Sequence, residues 1–212
     1  MSEQLGHYAR LDAIDFAGKT SQINLAREYN KKHNLGTVFV HEPGGTLFGQ
    51  HIRSLLLTDK SVDLSPHVEL LLFTADRLHL YKTVIEPALR EDRPVVSDRG
   101  IESSVYQTAG GGLSQDEIYR ISAELLPERY IHPDAIALLS ISKETRRKRM
   151  IKRLTVEAPD KIESRDEAFT DRAHELYRGL ELLPHTQVVD AERTEEEIFE
   201  DLKPILFGKF AA

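Results

Sequence analysis

The sequence predicts an α/β fold, a doubly wound and mostly parallel sheet of five strands. Short apolar or β-branched runs alternate with longer segments of helical periodicity along the whole chain. One of those runs, residues 135–141, is apolar without alternation, as in strands covered on both faces. The 212 residues suffice for one full-sized core, and no repeat, low-complexity stretch or Pro-, Gly- or Ser-rich linker divides them.

In chain order, residues 7–14 read as a strand that stops at a loop. Residues 19–32 read as a helix ended by Leu35-Gly36. Residues 37–40 form a short β-branched strand, and 46–57 a helix. A long helix is predicted over 66–91, its buried face supplied by Val68, Leu71, Leu72, Ala75, Leu78, Val84 and Ala88. Residues 94–98 form a compact strand ending in an acid. Ser114 caps a helix reaching residue 126, with Glu117 three positions on. After the apolar strand come a basic helix (143–153) and an amphipathic helix marked by Phe169, Ala173, Leu176, Leu180 and Leu183. Residues 186–190 make the last strand and 195–206 the last helix.

Composition narrows the chemistry. A formal net charge of −7 argues against a long nucleic acid as partner. No apolar run approaches the ~20 residues that span a bilayer, so no membrane partner is expected. The first residues lack a basic and then apolar leader, which makes a cytoplasmic location the expectation. Without cysteine there is neither disulfide nor thiolate metal site. Charge is nonetheless uneven. Six basic residues fall between Arg146 and Arg153, and seven acidic ones between Asp190 and Asp201. The acidic run reads as a solvated helix face.

Between the first strand and the first helix lies Ala13-Ile14-Asp15-Phe16-Ala17-Gly18-Lys19-Thr20. It matches the phosphate-loop pattern G-x-x-x-x-G-K-S/T except at its first position. In such a loop successive backbone N–H groups and a helix N-terminus hold the phosphates of ATP. Lys19 reaches the β- and γ-phosphates, and Thr20 offers its hydroxyl to Mg²⁺. This points to an ATP-using phosphoryl-transfer enzyme of the P-loop type.

A second set of residues sits where an α/β sheet binds ligands, at the carboxyl ends of strands. Asp98 can hold Mg²⁺ or its waters, and Arg99 beside it can grip a phosphate bidentately. His41-Glu42-Pro43-Gly44-Gly45-Thr46 makes a tight turn after the second strand. Phe73 and Arg77, four apart on one helix, suit a nucleobase: one stacks and the other donates to a carbonyl edge. The stretch from Ser103 to Gly112 reads as polar and flexible. Arg146, Arg149 and Arg153 line one face of the basic helix and offer a transition-state cation, with residues 155–161 as part of a mobile lid. The expected organisation is one P-loop kinase domain over 1–212, with the lid near 146–163.

Taken together these segments resemble the thymidylate kinase family, in order and over most of the chain. Asp15-x-Ala17-Gly18-Lys19-Thr20 is similar to its phosphate loop, and Glu42-Pro43-Gly44-Gly45-Thr46 to its second-strand signature. Ile52 to Leu57 resembles the helix that follows. Leu71-Leu72-Phe73-x-Ala75-x-Arg77 is similar to the base-binding helix. Asp98-Arg99 with Ser103-Ser104 and Tyr106-Gln107 resembles the acceptor segment, and Asp160-x-Ile162-Glu163 the region after the lid. The resemblance implies a nucleoside monophosphate kinase fold and transfer from ATP to dTMP with Mg²⁺, in a homodimer packed through helices such as the one bearing Phe73. It implies that Phe73 stacks on thymine and that Arg77, Ser104 and Gln107 read its edge. Asp15 would take the 3′-hydroxyl, with Arg53 and Arg99 at the acceptor phosphate. Because Phe16 stands where some members carry an arginine, the lid arginines Arg149 and Arg153 are the implied transition-state candidates.

Several positions depart from the family pattern. Ala13 replaces a glycine, and Phe16 is bulky where Gly or Arg is usual. His41 stands where a phosphate-binding arginine is expected, and an imidazole carries only partial charge near neutral pH. Gly100 replaces an aromatic, one residue is missing between Ser104 and Tyr106, and Gly111 replaces an arginine. These departures keep two alternatives open: a related deoxynucleotide kinase with altered base choice, and a weakly active nucleotide-binding regulatory paralogue. Nucleic-acid binding by the basic helix is a more distant one.

Overall fold

Five strands, all parallel, form one sheet in the order β2-β3-β1-β4-β5. They are β1 (Tyr8–Ala13), β2 (Val38–His41), β3 (Val95–Asp98), β4 (Ala135–Ser140) and β5 (Thr186–Asp190). The computed structural model describes residues 5–59, 61–155 and 160–211, with the side chains of 107 and 108 outside that description. The chain winds from β1 outward to β2, returns through β3, then crosses to β4 on the other side of β1. That reversal opens a crevice at the carboxyl ends of β1 and β3. Register sets its depth: Leu11 pairs with Asp98, and His41 lies level with Asp98 on the far side.

Both faces of the sheet are covered, which is why the strands read as apolar runs. One cluster packs Ala9, Leu11, Ala137 and Leu139 with Ile23 and Ala26 of α1 (Lys19–His33) and with Ile198, Leu202 and Leu206 of α10 (Glu195–Phe207). The other packs Tyr8, Val40 and Val95 with Leu80, Ile85 and Leu89. The intervening helices are α2 (Leu47–Arg53), α3 (Pro66–Leu80), α4 (Glu86–Arg90), α5 (Val105–Ala109), α6 (Gln115–Leu125), α7 (Glu128–Ile131), α8 (Lys143–Leu154) and α9 (Glu167–Gly179). The caps follow the sequence signals. Ser65, Ser114, Ser142, Asp166 and Thr194 each accept a backbone N–H three residues on. Thr194 and Glu197 complete a reciprocal capping box.

Three expectations need correction. The helix expected over 66–91 is broken by a π-helical turn at Tyr81–Ile85, after which Pro87 opens α4. Its buried face is also rotated from the apolar stripe read from sequence. Leu70, Phe73, Thr74, Asp76, Arg77 and Leu80 are buried, whereas Val68, Leu71 and Ala75 are exposed, Leu71 at 53%. The polar side chains go inward because partners wait for them there: Thr74 Oγ1 donates to Leu70 O, and Arg77 finds three acceptors. Finally, the stretch expected to be flexible after Arg99 is a 3₁₀ turn (Ile101–Ser104) running into α5, with Ile101, Val105 and Tyr106 buried. The helix expected over 46–57 is α2 with Thr46 as its cap, prolonged by a π-helical turn at Ser54–Thr58.

Candidate functional site

The phosphate loop leaves β1 and enters α1 through two left-handed residues, Phe16 (φ 70°) and Gly18 (φ 98°). Ala13 is the last residue of β1, in extended backbone, so the missing first glycine carries no conformational penalty. Among the described helices of eight or more residues, α1 alone has neither a side-chain cap nor an acid in its first turn. Its free N–H groups and positive end are left for an anion.

Lys19, at that end, pairs with the carboxylate of Asp98 across the crevice. Burial, and then the Arg99 guanidinium beside it, lower its pKa from the ordinary lysine value. The ion pair keeps a cation poised where phosphate oxygens would enter. Asp98 keeps its second carboxylate oxygen, and exposed Thr20 supplies a hydroxyl on the same wall. Hard oxygen donors of this kind suit Mg²⁺, which needs only one or two protein ligands beside phosphates and water. Among the described residues no cluster of three His, Cys, Asp or Glu side chains is preassembled for a metal.

Behind the loop lies a fully buried acid that the sequence reading passed over. Asp12 accepts hydrogen bonds from Ala13 N, Gly100 N, Ser103 Oγ, Tyr177 Oη and Arg99 Nη1. Burial raises its carboxyl pKa against those partners. Arg99, itself left-handed at φ 79°, is thereby aimed at Asp15, whose Oδ1 receives Arg99 Nη2 at 2.6 Å. Asp15 Oδ2 receives Tyr106 Oη at 2.8 Å. The signal available in the sequence was an acid near the end of β1, a strand buried throughout whose two charged residues are Arg10 and Asp12.

A cavity of about 400 Å³ opens at this point. Its walls include Asp15, Lys19, Thr20, His41, Glu42, Arg53, Phe73, Arg77, Asp98, Arg99, Tyr106 and Arg153. Phe73 and Arg77 face the same way, with the guanidinium carbon 5.4 Å from the ring centroid. Arg77 is almost wholly buried and donates to Glu42 Oε2, Ser104 Oγ and Gly100 O. Two of its five N–H groups remain uncommitted among the described residues. Ser104 is buried with its hydroxyl turned to Arg77 and does not line the cavity. The side chain of Gln107 lies outside the described residues. Arg53 lines the cavity and donates to Pro43 O at 3.1 Å.

Under this pocket Arg10, fully buried in β1, pairs with Glu102 at 2.8 Å and lies over the ring of Tyr130 at 4.3 Å. A side chain at position 100 would meet Arg10 Cδ and Glu102 Oε2 at 2.5 Å. Gly100 is therefore required by the arginine beneath it. Tyr130 Oη donates to Glu42 Oε2 at 2.6 Å, and burial pushes the Glu42 carboxyl up to about 7.

A second cleft, about 440 Å³, is lined by residues 14–21 with Arg99, Arg149 and Arg153. All three arginines on the α8 face converge on the phosphate loop. Arg149 donates to Ala17 O and Ala191 O, both at 2.9 Å. The guanidinium carbons of Arg146 and Arg153 each lie 5.5 Å from the Phe16 ring centroid. Arg153 also pairs with Glu163 at 2.9 Å and lines both cavities. Residues 156–159 of the expected lid lie outside the described residues. On its far side Lys161 N donates to Leu57 O, and Ile162 packs on Ile52, Leu56, Leu57 and Phe73.

The sequence model of the thymidylate kinase family matches residues 11–202. The chain is 33% identical to a thymidylate kinase of Vesicomyosocius okutanii, over 96% of this chain and 98% of that one. It is 34% identical to that of Leifsonia xyli, over 96% of each chain, and 35% identical to that of Desulfosudis oleivorans, over 82% of each. With a five-stranded parallel sheet around a phosphate loop and matches of this length, the chain belongs to the thymidylate kinase family.

Proposed function

We propose that the protein transfers the γ-phosphoryl group of ATP to dTMP, giving ADP and dTDP. The observation that carries this reading is the meeting of two cavities at Lys19, Arg99 and Arg153. ATP phosphates occupy the loop cleft, against the N–H groups of residues 13–20 and Lys19. The monophosphate occupies the cavity walled by Phe73 and Arg77. Phe73 stacks on the base, and the two free N–H groups of Arg77 meet its carbonyl edge. Asp15, held by Arg99 and Tyr106, receives the sugar hydroxyl. His41, Arg53 and Arg99 surround the acceptor phosphate. Thr20 and Asp98 hold Mg²⁺, which neutralises phosphate charge when bound.

No covalent intermediate is needed. Bringing acceptor oxygen and γ-phosphorus into line supplies much of the rate. Arg153 stabilises charge on the transferring oxygens, since it alone of the lid arginines borders both cavities. Arg149, tied to Ala17 O and Ala191 O, supports the loop. The exposed apolar side chains of α2 and α3 (Leu47, Phe48, Val68 and Leu71) form the contact of a homodimer. A cytoplasmic location fits this activity. The chain forms one kinase domain, with α8 and the segment through Glu163 as its lid.

The base-binding assignment is tested by steady-state kinetics. Phe73→Ala should raise the KM for dTMP about tenfold or more and leave the KM for ATP within about twofold. An unchanged KM for dTMP, or equal rises for both substrates, would count against it.

A further inference from the structure

Phe16 stands in the phosphate loop at φ 70°, a left-handed backbone that glycine adopts freely and a bulky side chain does not. A residue kept in such a conformation points to a use for its side chain. The ring has two conspicuous partners, the guanidinium groups of Arg146 and Arg153, each 5.5 Å from its centroid. Both are within reach of a cation–π contact.

The helix that carries these arginines is held by polar contacts: Ser142 N and Thr145 Oγ1 donate to Glu192, and Lys143 pairs with Asp171 and Glu175. Six basic residues crowd into positions 146–153, and α8 buries none of its residues. No apolar face fixes its rotation against the sheet. Arg149 is anchored by two carbonyls and Arg153 pairs with Glu163 at 2.9 Å, and Arg146 and Arg153 also flank the aromatic ring. Arg153 already has one carboxylate partner in Glu163, and a second at position 16 would cancel further charge beside the transferring phosphate. A ring face attracts a guanidinium while taking none of its N–H donors and none of its charge.

We propose that Phe16 is a positioning residue whose ring holds Arg146 and Arg153 over the phosphate loop, so that Arg153 meets the transferring phosphoryl group already oriented. This rests on the reading of Arg153 as the lid arginine of the transfer. It also explains why the loop tolerates a bulky residue where glycine would be unstrained.

Kinetics and fluorescence test it together. Phe16→Leu should lower kcat about tenfold with the KM for ATP within about twofold, and Phe16→Tyr should restore kcat to within about twofold of the parent. Phe16→Gly, which relieves the backbone, should lose kcat equally while melting no lower than the parent. In an Arg153→Ala background, Phe16→Leu should cost less than about twofold. The chain has no tryptophan, so Phe16→Trp introduces a single indole. Its quenching by acrylamide should rise when Arg146→Ala and Arg153→Ala are added, whatever the turnover.

Parental kcat in Phe16→Leu or Phe16→Gly, an undiminished penalty without Arg153, or quenching indifferent to the arginines would each overturn the proposal. Full turnover by Arg153→Ala alone would instead overturn the lid-arginine reading. A ring contact still seen by quenching would then lack a catalytic purpose, and the positioning role would fall with it.

Discussion

Glu42 shows how a single residue joins the core to the site. Its carboxylate receives Tyr130 Oη and Arg77 Nε, so it sits between the buried Arg10 cluster and the arginine proposed to read the base. Burial raises its pKa from 4.5 to about 7, against the lowering effects of Arg77 and Tyr130. The folded chain therefore holds this proton more tightly than the unfolded chain does. Stability from this group is neutral below about pH 4.5 and falls as pH rises toward 7, where the full cost of the buried charge stands. At about 1.4 kcal/mol per pH unit, the span is a few kcal/mol. Glu42→Gln should accordingly gain stability relative to the parent between pH 4.5 and 7.5, read from melts across that range. Parallel pH profiles for the two proteins would contradict this. The residue scale is also where sequence said least. Arg10 is fixed by Glu102, 92 positions away, and Gly100 is small because of that arginine. Neither relation leaves a local trace. The partners of Asp12 likewise leave no local signal, because its five donors come from segments scattered from Ala13 to Tyr177.

At the scale of elements, local signals served well where they were local. The phosphate loop, the five strands and the capped helices follow from periodicity, from glycine and from Ser, Thr or Asp at the right offsets. The face of α3 was misjudged because hydrophobic periodicity cannot register a buried Thr74, which bonds Leu70 O on its own helix, or a buried Arg77, whose acceptors lie on other segments. The apolar side chains expected inside, Val68 and Leu71, are instead on the surface, as are Leu47 and Phe48 of α2. These exposed apolar side chains are the proposed dimer contact. Leu71→Glu should leave the fold and melting temperature of the protomer nearly intact, since the side chain is half exposed, and should shift the solution mass from dimer to monomer in light scattering. An unchanged mass in the variant, or a monomeric parent, would remove the contact from α3.

Over the whole molecule, topology turns these parts into one site. The reversal of strand order at β1 brings Asp98 of β3, the loop after β1 and the turn after β2 to the same edge, and α8 adds Arg153 from the other side. The two cavities, proposed for acceptor and donor, then share Lys19, Arg99 and Arg153 on their borders. Two departures from the family pattern are absorbed structurally: Ala13 is unstrained and Gly100 is matched to Arg10. His41 still lines the cavity walled by Phe73 and Arg77. The order of motifs was legible because each is contiguous in sequence. Their convergence was legible only through resemblance, since nothing local says that residues 15, 73, 99 and 153 meet. The most direct measurement is ADP release from ATP with Mg²⁺ over a panel of nucleoside monophosphates. The expected result is turnover with dTMP at the highest kcat/KM of the panel, abolished by Lys19→Ala. Turnover confined to another monophosphate, or ATP binding with turnover on none, would contradict it.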